Sequence, residues 1–298
     1  MEYNKNNIPA FIIKSNNNNY KENTNKKIVL KENLGEGSYG VVFLLQNNDV
    51  IKIFKNSLST NIIQYETNFL IPISNENREL LFYYKYIKSK NRVNNYIINI
   101  YAIGIIKDIF EYNLIQYHKN SYFIILPYCI PFYSVYNIFN KPLIYENNGL
   151  MFTLNIMKRL SEIIIFFENE YGMINLDVKL NNFMFTYDEK NLIMLDFSII
   201  KSIDKKNNKY KINNNYYIWP KKEILLDYIS SYSVCINGLE LLFGYNKIYN
   251  LPNNNKINNF LKIIKKADKD KKIYNVFFNG LTLELTITQL LNLIKKIV

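Results

Sequence analysis

The sequence predicts an α+β protein with a strand-rich first third and a helix-rich remainder. Short runs of β-branched and aromatic residues indicate strands at Ile28–Leu34, Val41–Gln46 and Val50–Phe54, with a tight turn at 47–49 between the last two. Between Leu150 and Glu168, apolar residues recur close to every 3.6 positions, which predicts a long amphipathic helix. The chain shows no internal repeat, so we do not expect a repeat architecture.

The other elements follow the same division along the chain. Before the long helix, we expect a polar helix at Asn75–Lys88 and strands at Ile97–Ile106 and Tyr122–Leu126. After it, the sequence predicts a hairpin and three helices, at Phe183–Phe185 with Leu192–Leu195, and at Tyr228–Phe243, Ile257–Lys266 and Thr286–Ile297. Residues 1–27 are rich in Asn and Lys and offer too little apolar surface to offset the entropy of ordering. We therefore expect a flexible N-terminal extension over 1–27, followed by a folded domain over 28–298.

The composition is that of a soluble globular protein. Hydrophobic residues make up 48% of the 298 residues and charged residues 21%. No apolar stretch approaches the roughly 20 residues that a membrane-spanning helix needs, and the N-terminus lacks an apolar signal core. Two cysteines, Cys129 and Cys235, do not form a disulfide framework. These features predict a protein of a reducing, cytoplasmic compartment without a membrane span.

The charge balance is strongly basic. There are 37 basic against 25 acidic side chains, a net charge of +12, which favours anionic partners such as acidic protein segments. Nearly all the basic residues are lysines, which lack the planar fork that arginine uses to grip phosphate or guanine. Charge alone leaves nucleic-acid binding open, but we do not expect it, because the aromatic residues fall mostly on apolar, core-like segments.

A glycine-rich segment joins the first two predicted strands. Gly35–Val42 reads GEGSYGVV and fits the pattern G-x-G-x-x-G-x-V. Strands are predicted on both sides, so the glycines belong to a strand–loop–strand hairpin rather than to the start of a helix, as in a dinucleotide site. Such a loop lets backbone N–H groups approach phosphate closely. A glycine-rich turn without a ligand is the alternative at this motif.

A lysine lies inside the apolar strand that follows. Lys52 comes directly after Val50 and Ile51, and a buried ammonium is costly unless it meets an anion. In a nucleotide site that anion is a phosphate, with a helix carboxylate holding the lysine in place. The alternative is a lysine on an edge strand that points to water.

The most informative segment is Asn175–Phe183. Asp177, Lys179 and Asn182 form the pattern D-x-K-x-x-N, and Leu195–Ser198 reads LDFS after the predicted hairpin. With these motifs in this order, the chain resembles the eukaryotic protein-kinase family over roughly residues 28–298. The resemblance implies a bilobal protein-kinase fold. In that fold, a small antiparallel-sheet N-lobe (about 28–126) contains one main helix, and a hinge (127–131) leads to a larger, mostly helical C-lobe (about 132–298).

The resemblance also implies an activity and roles for individual residues. It implies an ATP-dependent serine/threonine protein kinase, with protein substrates, that uses Mg²⁺. Asp177 would accept the substrate's hydroxyl proton or orient that hydroxyl, and Lys179 would neutralise charge on the γ-phosphoryl group. Asn182 and Asp196 would hold the Mg²⁺. Lysine at position 179 is typical of serine/threonine rather than tyrosine kinases.

Nucleotide-binding positions follow from the same resemblance. The positions implied are Gly35, Gly37, Ser38, Gly40, Val42, Lys52, Glu79, Leu126 and Cys129. Lys52 would bind the α- and β-phosphates, and its helix carboxylate is either Glu66 or Glu79, of which we favour Glu79. Leu126 would be the gatekeeper. In the hinge, the carbonyl of Pro127 would accept a hydrogen bond from adenine, and the Cys129 N–H would donate one.

The sequence departs from the family at several positions. Asn175 and Leu176 replace the usual His-Arg before the catalytic aspartate, and that arginine normally binds a phosphorylated activation loop. We therefore expect activity without phosphorylation of that loop. Ser198 replaces the glycine after Asp-Phe, which costs backbone freedom but removes no metal ligand. The aspartate expected near the start of the 228–243 helix is unclear, since the alignment falls near Ser230.

Other readings of the chain remain open at this stage. Lys201–Lys211 is rich in lysine. It is either a solvated charged loop or a substrate-docking segment that gives a preference for acidic substrates. A pseudokinase scaffold is the main competitor to an active enzyme, and a basic nucleic-acid-binding protein is a less favoured one. The chain is rich in Asn, Ile, Lys and Tyr, whose codons are AT-rich, and it is compact. In both respects it resembles kinases of poxviruses and other large cytoplasmic DNA viruses, which implies a location in the host cytoplasm.

Overall fold

The computed structural model of the chain describes fifteen segments. These are 7–16, 19–23, 27–37, 40–54, 62–64, 70–72, 78–83, 95–106, 110–112, 115–117, 121–136, 142–203, 209–210, 224–249 and 255–298. They divide into two compact units. The first comprises the described residues up to Cys129 together with Leu195–Ile199, and the second comprises Ile130–Met194 and the described residues from Ile200 onward.

The first unit is rich in strands. Its elements are β1 (Asn7–Asn16), β2 (Asn19–Asn23), β3 (Lys27–Glu36), β4 (Gly40–Leu45), β5 (Asp49–Phe54), β6 (Ile62–Gln64), β7 (Leu70–Pro72), α1 (Arg78–Phe82), β8 (Ala102–Ile106), β9 (Phe110–Tyr112), β10 (Ile115–Tyr117) and β11 (Tyr122–Pro127). The predicted strands at 28–34, 41–46, 50–54 and 122–126 are confirmed within a few residues. The helix predicted over Asn75–Lys88 is described only at Arg78–Tyr83, where α1 lies.

One large antiparallel sheet dominates this unit. Its order among the described strands is β2-β1-β3-β4-β5-β11-β8, and β1 pairs with β8 as well as with β3. The two edges of the β3–β8 sheet are therefore both covered by β1, which closes the strands into a ring. Apolar side chains from alternate positions of β4 and β5 fill the core, including Phe43, Ile51 and Ile53.

The strands at Asn7–Asn16 and Asn19–Asn23 differ from the flexible extension expected over 1–27. They pair with each other and with the main sheet, so the backbone of this segment belongs to the first unit. The expectation rested on the average polarity of the segment. That average conceals the apolar run at 8–13, IPAFII, which has the length and composition of a strand.

The second unit is mostly helical. Its elements are β12 (Cys129–Pro131, starting on the last residue of the first unit), α2 (Phe132–Tyr136), α3 (Gly149–Tyr171), β13 (Met173–Asn175), β14 (Phe183–Thr186), β15 (Leu192–Met194), β16 (Ile200–Ser202), β17 (Lys209–Tyr210), β18 (Ile224–Leu225), α4 (Leu226–Phe243), α5 (Tyr245–Tyr249), α6 (Asn255–Ala267), α7 (Lys272–Leu281) and α8 (Ile287–Lys295). The long helix, the 183–195 hairpin and the three later helices are confirmed. Within the described residues, no helix is both long and apolar enough to cross a membrane.

Helix α4 lies at the centre of this unit. Nearly every residue of α4 is buried, which is the pattern of a helix covered on all sides. At Gly238, a Cβ atom would lie 2.6 Å from the Met157 sulfur of α3 and 2.8 Å from the Phe277 ring of α7. Only glycine fits there, and its absence of a side chain lets α3 and α7 approach α4 from two directions.

Helix α7 was not predicted from the sequence. The dipeptide Asn279-Gly280 inside it is a typical turn signal, but Gly280 serves packing here, because a Cβ atom would lie 2.3 Å from the Cys235 sulfur. The first turn of α7 is stabilised by Asp268, whose carboxylate accepts a hydrogen bond from the Tyr274 N–H at 2.8 Å. Tertiary packing therefore overrides the local turn signal.

Candidate active site

The glycine-rich segment forms the strand–loop–strand hairpin that the sequence predicts, between β3 and β4. At the described part of its tip, the Gly37 N–H donates to the Gly40 carbonyl at 2.9 Å. A Cβ atom on Gly40 would lie 2.5 Å from the Ile53 carbonyl oxygen of β5, so only glycine allows this approach of the strands. Gly35 and Gly37 have open space where a side chain would be, and Ser38 lies outside the described residues.

Lys52 lies on β5, directly opposite Val42 of the hairpin strand β4. Its ammonium donates a hydrogen bond to the Glu79 carboxylate of α1. The Lys52 side chain is 15% exposed and that of Glu79 is 2% exposed, so the ion pair is largely buried. Glu79, favoured over Glu66, is therefore a partner of this lysine, while Glu66 lies outside the described residues. The lysine does not point freely to water.

The charges around this pair shift both pKa values. Burial lowers the pKa of Lys52, but the negative charges of Glu79 and Asp196 outweigh it and raise the pKa above its ordinary value. Burial raises the pKa of Glu79, against the lowering effect of the Lys52 ammonium. Both residues thus respond to Asp196, whose carboxylate lies close enough to act on them within the first unit. The ammonium stays charged and is available to an anion.

Asp196 adopts an uncommon backbone conformation. Its φ angle is +58°, in the left-handed region that aspartate tolerates better than most residues. The Ser198 N–H donates to its Oδ1 at 3.1 Å. The neighbouring ring of Phe197 is fully buried and packs on Phe82 of α1, with ring centroids 4.4 Å apart. Helix α1 therefore positions both Glu79 and the segment that carries Asp196.

Ser198 does not incur the backbone cost expected of it. Among the described residues, the non-glycine positions with positive φ are Asn48, Asn148, Glu189, Asp196, Lys271 and Leu283, and Ser198 is not one of them. Its hydroxyl oxygen is instead buried and has no hydrogen-bond partner in the described part of the chain. Serine in place of glycine here therefore costs free energy through its buried, unsatisfied hydroxyl group rather than through a strained backbone.

The predicted hinge follows β11. Leu126 is buried and Pro127 is half-buried, at the end of β11 where it pairs with β5. The Pro127 carbonyl accepts a weak hydrogen bond from the Cys129 thiol at 3.6 Å. Burial raises the pKa of that thiol to about 11. The cysteine is therefore a neutral, structural thiol at neutral pH rather than a reactive one.

The D-x-K-x-x-N motif forms a compact cluster in the second unit. Asp177 is 6% exposed, and the Lys179 ammonium lies 2.8 Å from its Oδ2. The side-chain amide of Asn182 donates to the same Oδ2 at 3.0 Å and to the Asp177 carbonyl at 2.7 Å. A single turn of 3-10 helix, Leu180–Asn182, brings this asparagine back to the aspartate. The three residues of the D-x-K-x-x-N pattern are thus in direct contact.

Two asparagines that sequence reasoning did not place in the site hold this cluster. The Asn175 Oδ1 accepts a hydrogen bond from the Asp177 N–H at 2.9 Å, so the residue that replaces the usual histidine still fixes the aspartate backbone. The Asn237 amide of α4 donates to the Val178 carbonyl at 3.0 Å. A signal for Asn237 exists in the sequence, because Asn237 and Glu240 are the polar residues in the otherwise apolar segment 234–243.

Comparison with solved structures identifies the fold. The kinase domain of ROP18, solved in complex with AMP-PNP and sucrose, matches with a TM-score of 0.64 over 97% of this chain and 83% of that one, at 12% identity. The PknI kinase domain of Mycobacterium tuberculosis matches with a TM-score of 0.55 over 91% and 96% of the two chains, at 11% identity. This chain has the protein-kinase fold. No protein-family model and no curated protein matches its sequence with significance.

Asn182 and Asp196 each carry an oxygen donor of the kind that Mg²⁺ accepts. This ion prefers carboxylate and carbonyl oxygens and keeps several waters. The Asn182 amide nitrogen makes both bonds to Asp177, which leaves its Oδ1 on the other side of the amide for a cation. Asp196 supplies a carboxylate in the first unit. The described residues contain no group of three or more His, Cys, Asp or Glu that could hold a metal ion by themselves.

A hydrogen bond connects helices α3 and α4 near position 230, where the sequence comparison with kinases leads one to expect an aspartate. Ser230 occupies that place, and its hydroxyl donates to the Glu168 carboxylate of α3. Asp227 lies one turn earlier on α4. Burial raises the pKa of Glu168 to about 7, the Ser230 hydrogen bond lowers it, and the negative charge of Asp227 raises it. A carboxyl that titrates near neutral pH therefore connects the two helices.

The stability of the protein is expected to depend on pH through Glu168. Its folded-state pKa lies above the ordinary value of about 4.3, so the folded state holds an extra proton between about pH 4.3 and 7. The contribution of Glu168 to the free energy of unfolding is complete below about pH 4.3 and is lost as the pH rises through 7. Glu168→Gln keeps an acceptor but does not ionise. Urea unfolding should show it about 2–4 kcal/mol more stable than wild type at pH 8 and within about 1 kcal/mol of wild type at pH 5.

The matched control for this measurement is Glu162→Gln, on the same helix. Glu162 pairs with Lys295 at 3.5 Å near the surface, and exposed pairs contribute only about 0–1 kcal/mol. We expect this control to follow the wild-type pH dependence. A Glu168→Gln effect that is equal at pH 5 and pH 8 would contradict the proposed titration.

Proposed function

We propose that this chain is an ATP-dependent serine/threonine protein kinase, which transfers the γ-phosphoryl group of ATP to a hydroxyl group of a protein with the help of Mg²⁺. The observation that carries the proposal is the contact of Asp177 with both Lys179 and Asn182. A carboxylate held by an ammonium and an amide is the arrangement that aligns a hydroxyl nucleophile and stabilises phosphoryl charge. The kinase fold supports the same conclusion.

The residues of the second unit would act on the substrate hydroxyl. Asp177 accepts its proton or orients it toward the phosphorus, since its carboxylate is fixed by two donors and its N–H by Asn175. Lys179 is 35% exposed, so its ammonium can reach a γ-phosphoryl oxygen while it stays near Asp177. Phosphoryl transfer needs little covalent chemistry from the protein, and positioning and positive charge account for most of the rate.

The residues of the first unit would hold the nucleotide. Lys52, kept in place by Glu79, offers an ammonium to the α- and β-phosphates. The glycine hairpin offers backbone N–H groups, and Leu126, Pro127 and Cys129 would face the adenine. Asn182 and Asp196 would hold Mg²⁺, which when bound neutralises phosphate charge. The structure of ROP18 was solved with AMP-PNP, which is consistent with nucleotide binding by this fold.

Several finer features belong to the same proposal. Lysine at position 179 supports serine and threonine as acceptors, and the net charge of +12 supports acidic protein substrates. The compact size and AT-rich composition support a kinase of a large cytoplasmic DNA virus, acting in the host cytoplasm. We do not expect nucleic acid to be a partner. In a pseudokinase scaffold, a buried Lys52–Glu79 pair would have no catalytic role, and because burying charges is costly the pair could be replaced.

The proposal is tested by transfer of phosphate from γ-labelled ATP to casein, an acidic protein, by the purified full chain. We expect label on casein serine or threonine with Mg²⁺ and none with a chelator present. A parallel reaction with α-labelled ATP controls for bound nucleotide. Nucleotide binding without label on casein or on a mixed serine/threonine peptide library would contradict the kinase and favour the scaffold.

We also propose that transfer does not require phosphorylation of the activation loop. Leu176, which replaces the arginine that would bind such a phosphate, is buried and apolar. Protein treated with phosphatase, with the phosphatase then removed, should keep its full initial rate. A rate that instead tracks phosphate on Ser202, Tyr210, Tyr216 or Tyr217 by mass spectrometry would contradict this.

A further inference from the structure

Asn237 is an unusual residue for its position. It lies in the middle of α4 and is completely buried, with Ser233 and Glu240 about one turn away on the same helix. Its side-chain amide donates two hydrogen bonds, to the Val178 carbonyl at 3.0 Å and to the Ser233 carbonyl one turn earlier at 2.7 Å. Its Oδ1 is buried and has no hydrogen-bond partner among the described residues.

This arrangement is costly for folding alone. A buried acceptor without a partner loses its bonds to water and gains nothing in return. Leucine at this position would avoid that loss but would leave the buried Val178 carbonyl without this donor. Of the two bonds that the amide donates, the one to Val178 leaves α4 and reaches another segment of the chain.

The bond reaches the centre of the catalytic cluster. Val178 lies between Asp177 and Lys179, and its carbonyl is the group that Asn237 holds. Asn175 and Asn182 fix the Asp177 N–H, carbonyl and carboxylate from within the same short segment. Those bonds shape the segment but do not tie it to a helix. Asn237 ties it to α4, which is packed on both α3 and α7.

We propose that Asn237 is a positioning residue for phosphoryl transfer. Its amide fixes the Val178 carbonyl and thereby the position of the neighbouring Asp177 carboxylate relative to α4. This inference rests on the proposed kinase function. The residue acts through the backbone and does not touch the substrate. Its loss therefore affects the rate of transfer at saturating substrate rather than the affinity for ATP, since Lys52 and the glycine hairpin belong to the first unit.

The test is Asn237→Leu in the full chain, which keeps the branched shape of the side chain and removes the donor. A displacement of about 1 Å in a catalytic group can cost about 100-fold in rate, so we expect kcat to fall about 10- to 100-fold. We expect the KM for ATP to change less than about twofold. The melting temperature should fall modestly, because the buried Val178 carbonyl loses this donor. Amide hydrogen exchange should become faster at residues 178–182 and not elsewhere.

A matched control is Ser161→Ala on α3. Ser161 is also fully buried and polar, and its hydroxyl donates to the Met157 carbonyl of its own helix at 2.8 Å. Removing it should leave kcat, KM and exchange at 178–182 unchanged. The comparison separates a bond that reaches the catalytic segment from a buried polar group as such.

The possible outcomes are distinct. A kcat within twofold of wild type, or faster amide exchange throughout the second unit rather than at residues 178–182, overturns the inference. If Asn237→Leu does not fold, Asn237→Ala takes its place, and failure of both to fold overturns the inference because the bond is then structural. If the wild type transfers no phosphate, the kinase proposal fails, and hydrogen exchange alone decides whether Asn237 holds the segment.

Discussion

Replacing Asp177 with asparagine is expected to lower the rate of phosphoryl transfer by about 100- to 10,000-fold, the range observed for loss of a general base. Asparagine has nearly the same shape, but it cannot accept the hydroxyl proton. It also weakens the cluster, because the Asp177 Oδ2 atom is shared by the Lys179 ammonium at 2.8 Å and the Asn182 amide at 3.0 Å. An amide oxygen at that place carries no charge for the ammonium to balance.

The measurement is the initial rate of label transfer from γ-labelled ATP, at saturating ATP and casein, compared with nucleotide affinity. Because Lys52 and the glycine hairpin are unchanged, we expect Asp177→Asn to retain ATP binding. Asp188→Asn is a suitable control, since Asp188 is half exposed and contacts Thr186 and Lys190 at a surface turn. Its rate should equal that of wild type. Label transfer that persists in Asp177→Asn at the wild-type rate would show that another kinase contaminates the preparation or that a different base operates.

The features that could be predicted from the sequence are those encoded over short distances. The D-x-K-x-x-N cluster closes within six positions, Asp177 to Asn182, so its geometry follows from a single turn. The β3–β4 hairpin is likewise local, and its flanking strands are short runs rich in β-branched and aromatic residues. Glu79 was favoured over Glu66 from the quality of its helix, and the buried pair with Lys52 agrees with that choice.

The features that could not be predicted depend on distant contacts. Asn237 and Val178 are 59 positions apart, and nothing in the sequence near either residue indicates the other. Strand β1 gains its partners from β3 and β8, so the average polarity of residues 1–27 is a poor guide to its structure. In α7, contact with Cys235 explains Gly280 and overrides a local turn signal.

Replacing Lys52 with methionine is expected to abolish nucleotide binding and to destabilise the protein by about 3–5 kcal/mol, the cost of leaving a buried charge without its partner. The methionine keeps most of the length of the side chain but removes the ammonium. Glu79, only 2% exposed, is then a buried carboxylate beside the negative charge of Asp196. Mg²⁺ and ATP should no longer raise the melting temperature, as they are expected to do in wild type.

The destabilisation should depend on pH in a defined direction. The Lys52 ammonium lowers the pKa of Glu79, so its removal leaves burial and Asp196 to hold that pKa further above its ordinary value. A carboxyl with a raised folded-state pKa supports stability below about pH 4.3, and this support is lost as the pH rises through the folded-state value. Unfolding by urea, without metal or nucleotide, should therefore show a larger loss for Lys52→Met at pH 8 than at pH 5.

Two further variants decide whether the pair acts as described. Lys52→Met combined with Glu79→Leu removes both charges, and an apolar pair of similar volume should regain most of the lost stability but not nucleotide binding. Lys190→Met removes one partner of the exposed Asp188–Lys190 pair, at 3.4 Å, and should cost no more than about 1 kcal/mol. If the double variant stays as unstable as Lys52→Met, the instability does not come from the unpaired Glu79 carboxylate. If the double variant still binds ATP, Lys52 is not the residue that meets the phosphates.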